Sequence, residues 1–352
     1  MRGAGNKGLL LLSALIALAT LFFSYQQLSR STDDSGSLIS LDGRTMGTGY
    51  RVLLQTDEAV NSSVNTELQA AIETRLAILD KTIFSTYVPD SEISVFNQAD
   101  QGVHNASPEF ITVLQRALEI HRLSDGAFDP SLKPVVDLWG FGTQVGHQEV
   151  PPPDELAAAF ALNGFSHIRI DSNAGTVQKK SAVTIDLSGV AKGFAVDEIG
   201  KLLEKRGINN FLVEIGGEVL SAGNRPDGSP WQLGIERPVV GEVELLQPIR
   251  AHGEKMAVAG SGNYRNYFLY EGQRYSHIID PGTGWPVSHE LLSVTVIAES
   301  TMEADAWATA LFVLGPEAGV RLANELQLAA YFALDNGAGI QSRHSDPFNK
   351  YL

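Results

Sequence analysis

The chain has 352 residues, 43% of them hydrophobic and 19% charged, so it can bury a core in one large domain or two smaller ones. Its formal charge of −15 argues against a nucleic-acid surface, because phosphate backbones are bound by clusters of Lys and Arg and the sequence has none. Cysteine is absent, which excludes disulfides, thiolate metal sites and thiol nucleophiles and suits an oxidising compartment.

The N-terminal segment has the pattern of an export signal. Arg2 and Lys7 precede an apolar run at residues 9–23, LLLLSALIALATLFF. The run is shorter than the roughly 20 residues that span a bilayer. Residues 1–30 are therefore predicted to be a signal peptide, with an uncleaved membrane anchor as the alternative. Either one places the remainder outside the cytoplasm.

A short polar stretch follows the export segment. Residues 31–40, STDDSGSLIS, are interpreted as a linker, and no second stretch of this kind occurs. Residues 41–352 are therefore predicted to form a single domain.

The next part of the chain alternates between strand and helix patterns. RTMGTGYRVLLQ (44–55) has the alternation of a strand, and residues 64–84 place apolar side chains at helical spacing. Ser107 and Pro108 predict the N-cap and first residue of another helix. Short strands are predicted at HIRID, TVQKK and VTIDL, before a helix over GFAVDEIGKLLEKRG that ends at Gly207.

The second half of the chain is rich in strand patterns. Strands are predicted at FLVEIGG, WQLGIE, KMAVAG, NYFLY, YSHIID and SVTVIA. Two helices, residues 301–315 and 315–327, then precede the apolar strand LAAYFAL. Because helices and strands do not repeat as βαβ units, the predicted class is α+β, with mixed or antiparallel sheets and flanking helices.

Two acids lie at the start of the Ala-rich helix TMEADAWATALFVLG (301–315). Thr301 as N-cap with an acid in the first turn explains Glu303 better than Asp305. If the helix starts near Met302, Asp305 and Thr309 share a face and offer two hard oxygen ligands for Mg²⁺. The segment alone leaves capping and metal binding both open.

Several familiar chemistries lose support. The sequence has no G-x-G-x-x-G after a strand, no G-x-x-x-x-G-K-[ST], no H-E-x-x-H and no G-x-S-x-G, which argues against Rossmann dehydrogenases, P-loop NTPases, zincins and α/β-hydrolases. Its eight His residues are scattered, so a histidine-rich metal site is not expected.

Loops of small residues and isolated polar groups remain. Lys192 and Gly193 are predicted at a strand-to-helix junction, where backbone N–H groups favour anions, although an ordinary capped helix fits equally well. The loop at residues 124–142 has more polar and aromatic residues than a connector needs, although it could also be a folded loop with a buried Trp139. His277 lies between apolar strand residues and is a candidate acid or base, although a lone His is more often structural.

The loops, taken in order, carry a family resemblance. The chain resembles the FAD:protein FMN transferase (ApbE) family over about residues 41–335. The stretches that resemble it are TMGTGY, FSTYVPDSEISVFN, GAFDPSLKPVVDLWGFG, DLSGVAKGFAVD, FLVEIGGEV, SGNYRNYF, RYSHIIDPGTGWPV and ADAWATAL.

The resemblance implies an ApbE-like single catalytic domain and a specific reaction. Members of the family bind FAD with Mg²⁺, cleave its diphosphate, attach FMN through a phosphoester to a Thr or Ser of a target flavoprotein, and release AMP. It implies catalytic roles for Asp305 and for His277, the latter as a base. The metal ligands would be Asp305, Thr309 and the backbone carbonyl of Gly189. The FAD contacts would be Met46, Tyr87, Ala127, Phe128, Asp129, Asp186, Lys192 and Ile279.

The resemblance also suggests partners and a location. The acceptors would be subunits of membrane redox complexes, such as NADH:quinone reductase or RNF-type complexes, at the periplasmic side of the inner membrane. The lipobox cysteine of lipoprotein members is missing, so the mode of anchoring stays open. Two alternatives keep the flavin site: an Mg²⁺-dependent FAD pyrophosphatase, which releases FMN and AMP, and a non-catalytic exported flavin-binding protein.

Overall fold

The computed structural model describes residues 37–56, 62–143, 149–239 and 244–352. The predicted signal or anchor, residues 1–30, lies outside these ranges. The α-helices are α1 (Ser62–Ala77), α2 (Glu92–Gln98), α3 (Pro108–Leu123), α4 (Lys133–Leu138), α5 (Pro153–Phe160), α6 (Ser188–Glu204) and α7 (Thr301–Glu325). A π-helical segment, Ile78–Phe84, continues α1, and 3₁₀ turns occupy Pro130–Leu132, Phe165–His167 and Asp346–Tyr351.

The strands are β1 (Ser37–Thr45), β2 (Thr48–Thr56), β3 (Gly102–Asn105), β4 (Ile168–Asp171), β5 (Thr176–Lys179), β6 (Phe211–Ile215), β7 (Glu218–Ala222), β8 (Leu233–Glu236), β9 (Leu245–Ile249), β10 (Met256–Gly262), β11 (Tyr267–Tyr270), β12 (Gln273–Ser276), β13 (Leu291–Ala298), β14 (Ala329–Asp335) and β15 (Ile340–His344).

One eight-stranded sheet, in the order β1-β2-β6-β7-β10-β13-β14-β15, organises the molecule. Smaller sheets are formed by β3-β5-β4, β8-β9 and β11-β12. Every strand pair between named strands in the described ranges is antiparallel. The predicted α+β class is confirmed, with antiparallel rather than mixed sheets.

The two faces of the large sheet bury different cores because successive strand residues point to opposite sides. On β2, Val52 and Leu54 pack with α1, α3, α6 and α7, whereas Leu53 packs with Trp231 of the segment before β8 and with the C-terminal turn. A third apolar cluster surrounds Trp139, which is fully buried and donates from Nε1 to the Gly284 carbonyl at 2.9 Å.

None of the helices in the described ranges combines the length and the hydropathy that a bilayer crossing requires.

The first hairpin differs from the sequence prediction. β1 begins at Ser37, inside the predicted linker 31–40, because its ladder with β2 runs from Ser37↔Thr56 to Thr45↔Thr48. The stretch 44–55 was predicted as one strand, but it turns at Met46 and Gly47. Both turn residues have positive φ, 47° and 77°, as a two-residue hairpin requires.

One predicted strand, VTIDL, does not form, and another, YSHIID, is shorter than predicted. VTIDL (183–187) forms no strand, because the Asn97 side chain replaces a partner strand: its Oδ1 accepts from Ile185 N at 2.7 Å and its Nδ2 donates to Ile185 O at 2.8 Å. In YSHIID, β12 ends at Ser276, and beyond it only an isolated bridge joins Ile279 to Pro286.

The helix starts were predicted with mixed success. Ser107 caps α3 as predicted, accepting from Phe110 N at 3.1 Å. α6 begins at Ser188, so Lys192 and Gly193 lie one turn inside the helix and not at a strand-to-helix junction. That prediction was wrong because the helical backbone continues N-terminal to them.

The C-terminal helices also required correction. The N-cap of α7 is Ser300, whose Oγ accepts from Glu303 N at 3.2 Å, so Thr301 is the first helical residue and not the cap. The helices predicted at 301–315 and 315–327 are one element, α7, kinked at Gly315 with φ 78°. Pro316 follows directly and lacks the N–H that a straight helix would use.

Candidate active site

A cavity of about 890 Å³ opens at one end of the large sheet. The turn between β1 and β2 (residues 46–47) and the turn between β6 and β7 (residues 216–217) contribute to it, together with α6, β10 and α7. The predicted site residues all line it: Met46, Tyr87, Ala127, Phe128, Asp129, Asp186, Gly189, Lys192, His277, Ile279, Asp305 and Thr309. Residues from distant parts of the sequence thus meet in one place.

The floor of the cavity is the contact between α6 and α7. Asp305 and Thr309 are four residues apart on one face of α7. Asp305 Oδ2 accepts from the backbone N of Gly193 at 3.1 Å, and Thr309 Oγ1 lies 2.9 Å from Ser261 Oγ. A Cβ on Gly189 would lie 3.4 Å from Thr309 Oγ1, so the two helices touch here.

This floor presents hard oxygen donors. No group of three or more His, Asp or Glu side chains suited to a metal occurs in the described ranges. Asp305 and Thr309 line the cavity beside Gly189, and their carboxylate and hydroxyl oxygens, with the Gly189 carbonyl that the family resemblance implies, would form a sparser set. Such a set fits Mg²⁺ because that ion keeps few protein ligands and completes its shell with water and phosphate oxygens. Asp305 Oδ1 lies 4.0 Å from Lys192 Nζ, too far for a hydrogen bond.

Lys192 stands between two buried carboxylates. Its Nζ donates to Glu218 Oε1. Desolvation opposes the charge on Lys192, but the carboxylates of Asp305 and Glu218 outweigh this effect and raise its pKa. Burial also raises the pKa values of Glu218 and Asp305, against the opposing effect of Lys192. The lysine is therefore the firmly charged member of the group.

Each Lys and Arg residue that lines the cavity is paired with a carboxylate. Lys81 lies 2.9 Å from Asp80, Lys133 lies 2.5 Å from Asp137, Arg265 lies 2.5 Å from Glu236, and Lys192 pairs with Glu218. The lining includes six carboxylates but only four Lys and Arg side chains. An anionic ligand in this cavity would need additional positive charge.

His277 is held in one tautomer. Its Nδ1 lies 3.1 Å from the carbonyl oxygen of Asn266, which can only accept, so Nδ1 carries the proton and Nε2 is the basic nitrogen. Burial lowers the pKa of His277 to about 4, with Lys192 adding to this effect and the Asn266 bond opposing it. The ring keeps a partly accessible edge, and Phe141 contacts it edge-on at 6.3 Å between ring centroids.

Two aromatic residues differ in what they offer a ligand. Tyr87 is 67% exposed and its hydroxyl donates to the Gly142 carbonyl at 3.4 Å, so its ring is open to stacking. Phe128 is 4% exposed and packs mainly into the core, which leaves it a role in the cavity wall.

Sequence reasoning missed three acids in the lining. Glu218 and Glu236 lie on strands, and Asp80 lies in the π-helical segment, where its Oδ2 accepts from Met46 N at 3.1 Å. An acid in the apolar run FLVEIGGEV was a usable signal for Glu218. The sequence gives no such signal for Asp80, because the direction of its side chain depends on the π-helical turn, which the sequence pattern does not reveal.

Comparisons with known proteins identify the family of the chain. The sequence model described as the ApbE family matches residues 46–332. A Haemophilus influenzae protein named FAD:protein FMN transferase is 36% identical over 345 residues, covering 97% of each chain. A Vibrio cholerae protein of the same name is 38% identical over 342 residues, covering 96% of this chain and 98% of that one. The chain belongs to the ApbE family.

The solved structures place this ApbE-family chain in the same fold. Flavin transferase ApbE from Vibrio cholerae superimposes with a TM-score of 0.81 at 36% identity, covering 90% of this chain and 100% of that chain. The predicted resemblance is confirmed, and with it the predicted fold and the prediction that the protein is a transferase.

Proposed function

We propose that this protein is an Mg²⁺-dependent FAD:protein FMN transferase. It cleaves the diphosphate of FAD, attaches FMN through a phosphoester to a Thr or Ser of a target flavoprotein, and releases AMP. The observation that carries this proposal is the meeting, in one cavity, of the oxygen donors of Asp305 and Thr309, the charged Lys192 and the neutral His277.

The charge balance of the cavity supports a metal requirement. The carboxylates in the lining outnumber the basic side chains, so a diphosphate entering alone meets an excess of like charge. Bound by Asp305, Thr309 and the Gly189 carbonyl, Mg²⁺ would supply the missing positive charge to the diphosphate oxygens. Lys192 remains protonated and donates to a phosphate oxygen, which stabilises charge on the leaving AMP phosphate.

His277 can activate the acceptor hydroxyl. Its Nε2 takes the proton as the hydroxyl oxygen attacks the phosphorus of the FMN half. One P–O bond forms to the acceptor as the P–O bond to AMP breaks, so AMP leaves with the bridging oxygen. The low pKa of His277 keeps Nε2 unprotonated at neutral pH, and the negative charge of bound FAD would raise its basicity.

The acceptor and the location form part of the proposal. Acceptors in membrane redox complexes, of the NADH:quinone reductase or RNF type, fit a protein whose first residues resemble an export segment and whose sequence lacks cysteine. We therefore place the protein at the periplasmic side of the inner membrane, anchored or soluble.

Mass spectrometry of an acceptor segment tests the reaction. Purified protein with FAD, MgCl₂ and a Thr-containing flavoprotein segment should yield an FMN adduct and one AMP for each adduct. Asp305→Asn should abolish the adduct without unfolding the protein, because Asn keeps the shape of the Asp side chain but lacks its charged oxygen ligand. Glu303→Gln, two residues earlier on α7, should retain it, since Glu303 pairs with Arg116 and does not line the cavity.

The same assay separates the alternatives. Release of FMN and AMP with no adduct on several candidate segments would favour a pyrophosphatase, in which water takes the place of the hydroxyl. FAD bound intact in the presence of Mg²⁺ would favour a non-catalytic flavin-binding protein.

A further inference from the structure

α6 and α7 contact each other in a regular antiparallel register. Along the pair, Gly189 meets Thr309, Gly193 meets Asp305, and Asp197 meets Thr301. From one contact to the next, the residue number rises by four on α6 and falls by four on α7. One face of each helix therefore carries all three contacts. Since an α-helix rises about 1.5 Å per residue, the Asp197 contact lies about 12 Å from the Gly189 contact.

Asp197 is the last contact of this series and does not line the cavity. It is 8% exposed, and both of its carboxylate oxygens accept from the start of α7: Oδ1 from Thr301 N and Oδ2 from Met302 N, each at 2.9 Å. These N–H groups have no partner within their own helix. A side chain of α6 thus caps the first turn of α7.

The neighbouring glycine makes the contact tight. A Cβ on Gly193 would lie 2.3 Å from the carbonyl oxygen of Thr301 and 2.8 Å from Met302 Cα, both backbone atoms. Only glycine lets α6 approach α7 so closely without a backbone shift. The close approach also lets Gly193 N reach Asp305 Oδ2.

We infer that Asp197 is a positioning residue that holds α6 and α7 in the register required to bind the Mg²⁺–diphosphate group. The inference rests on the proposed function. The donor set is divided between the helices, with Gly189 and Lys192 on α6 and Asp305 and Thr309 on α7. Because Mg²⁺ requires ligand distances of about 2.0–2.1 Å, a small slide of one helix along the other would separate the donors.

FAD titrations at increasing MgCl₂ test this inference. In Asp197→Asn, the side-chain amide can accept only one of the two backbone bonds and places a donor opposite the other N–H. We expect the Mg²⁺-dependent affinity for FAD, followed by flavin fluorescence, to fall at least about tenfold, as for other residues that orient metal ligands. FAD affinity in EDTA should be unchanged.

Ser300→Ala is the matched control. It removes the other side-chain cap of the same helix, at Glu303 N, without touching α6. It should lower the melting temperature while leaving the Mg²⁺ dependence intact. The inference is overturned if Asp197→Asn lowers only the melting temperature, or if Ser300→Ala loses as much Mg²⁺-dependent affinity. Wild-type FAD binding that is independent of Mg²⁺ would refute the metal in the proposed function before any variant is measured, and the inference with it.

Hydrogen exchange on the wild-type protein avoids any folding defect of the variant. Since coupling is reciprocal, saturating FAD and MgCl₂ should slow exchange at the amides of Thr301 and Met302. The Ala330 amide lies away from α6 and donates to Ser345 Oγ at 2.9 Å. Its exchange should change little, so it serves as the reference. Equal protection changes at all three amides, or none, would contradict a register coupled to the site.

Discussion

At the scale of single residues, the backbone of Asn266 determines the chemistry of His277. The Asn266 carbonyl accepts from both the backbone N of His277, at 3.2 Å, and its Nδ1, at 3.1 Å. The ring is therefore fixed relative to its own main chain, and Nε2 is left as the proton acceptor. A base oriented this way needs no carboxylate partner to set its tautomer.

The low pKa of His277 predicts an unusual pH profile. Its folded-state value of about 4 is below the ordinary 6.5, so the neutral form is favoured in the fold. Its contribution to stability is complete above pH 6.5 and is lost as the pH falls towards 4. Burial raises the pKa values of the cavity acids Glu218 and Asp305, so these groups also titrate in kcat/KM for flavin transfer. The part of the pH profile that depends on His277 should fall only below about pH 5. A decline centred at 6.5 or higher that His277→Ala abolishes would contradict this assignment.

His277→Ala supplies the control for that profile. The variant should lose most of its rate, by about 10²–10⁴-fold for a general base, and the acid limb attributed to His277 should disappear. Added imidazole should restore part of the rate. An unchanged acid limb in the variant would assign the titration to another group.

At the scale of elements, the segment before α6 shows both what the sequence predicts and what it leaves out. Ile185 is apolar and fully buried, as the strand prediction for VTIDL required, yet its hydrogen bonds go to the side chain of Asn97, 88 positions earlier. Local pattern predicts burial but does not reveal a side chain that replaces a strand. The same limit explains the wrong prediction for Lys192. The glycine next to it suggested a strand-to-helix junction, but α6 already starts at Ser188.

The residues predicted for the site lie together in the fold, although several of the elements that hold them were predicted wrongly. The residues implied by the family resemblance converge on one cavity, some from loops and others, such as Lys192 and Thr309, from inside helices. Asp197 and Asn97 escaped prediction because they act through backbone atoms of segments far away in the sequence. Nothing near either residue indicates its partner.

Asn97→Ala should destabilise the protein and weaken FAD binding. The change leaves the buried N–H and C=O of Ile185 without partners, at a cost of about 2 kcal/mol in the free energy of unfolding. It also loosens the stretch leading to Asp186 and Gly189, which line the cavity. Urea unfolding and FAD titration measure the two effects.

Gln98→Ala is the control for this prediction, since the neighbouring Gln98 is exposed and its side chain donates to the Pro89 carbonyl at 3.4 Å. Its free energy of unfolding should change by less than about 0.5 kcal/mol. Similar losses in both variants would rule out a specific role for Asn97.

At the scale of the whole molecule, an acidic protein handles an acidic ligand. The chain carries −15 formal charges, and the cationic side chains of the cavity are all paired with carboxylates. Long-range repulsion and local metal binding therefore act in opposite directions.

Salt should strengthen FAD binding when Mg²⁺ is absent. Raising KCl from about 20 mM to about 200 mM shortens the Debye length from roughly 20 Å to roughly 7 Å and screens the repulsion between protein and diphosphate. The dissociation constant for FAD in EDTA should fall modestly, as measured by fluorescence titration. With saturating MgCl₂ the dependence should be weaker, because the cation already offsets the local charge. A rise in the dissociation constant with KCl in EDTA would indicate that unpaired cationic contacts dominate.

The hairpin turns have a consequence for how the chain can change in length. Residues 46–47, 216–217 and 271–272 each form a two-residue turn with both φ values positive. The first two line the cavity, whereas Glu271 and Gly272 are exposed at the tip of β11–β12. One inserted residue at either of the first two would shift a strand register and reverse which side chains enter the core. Of these three turns, the third is therefore the one expected to tolerate inserted loops, tags or new recognition segments, because added length there extends into solvent.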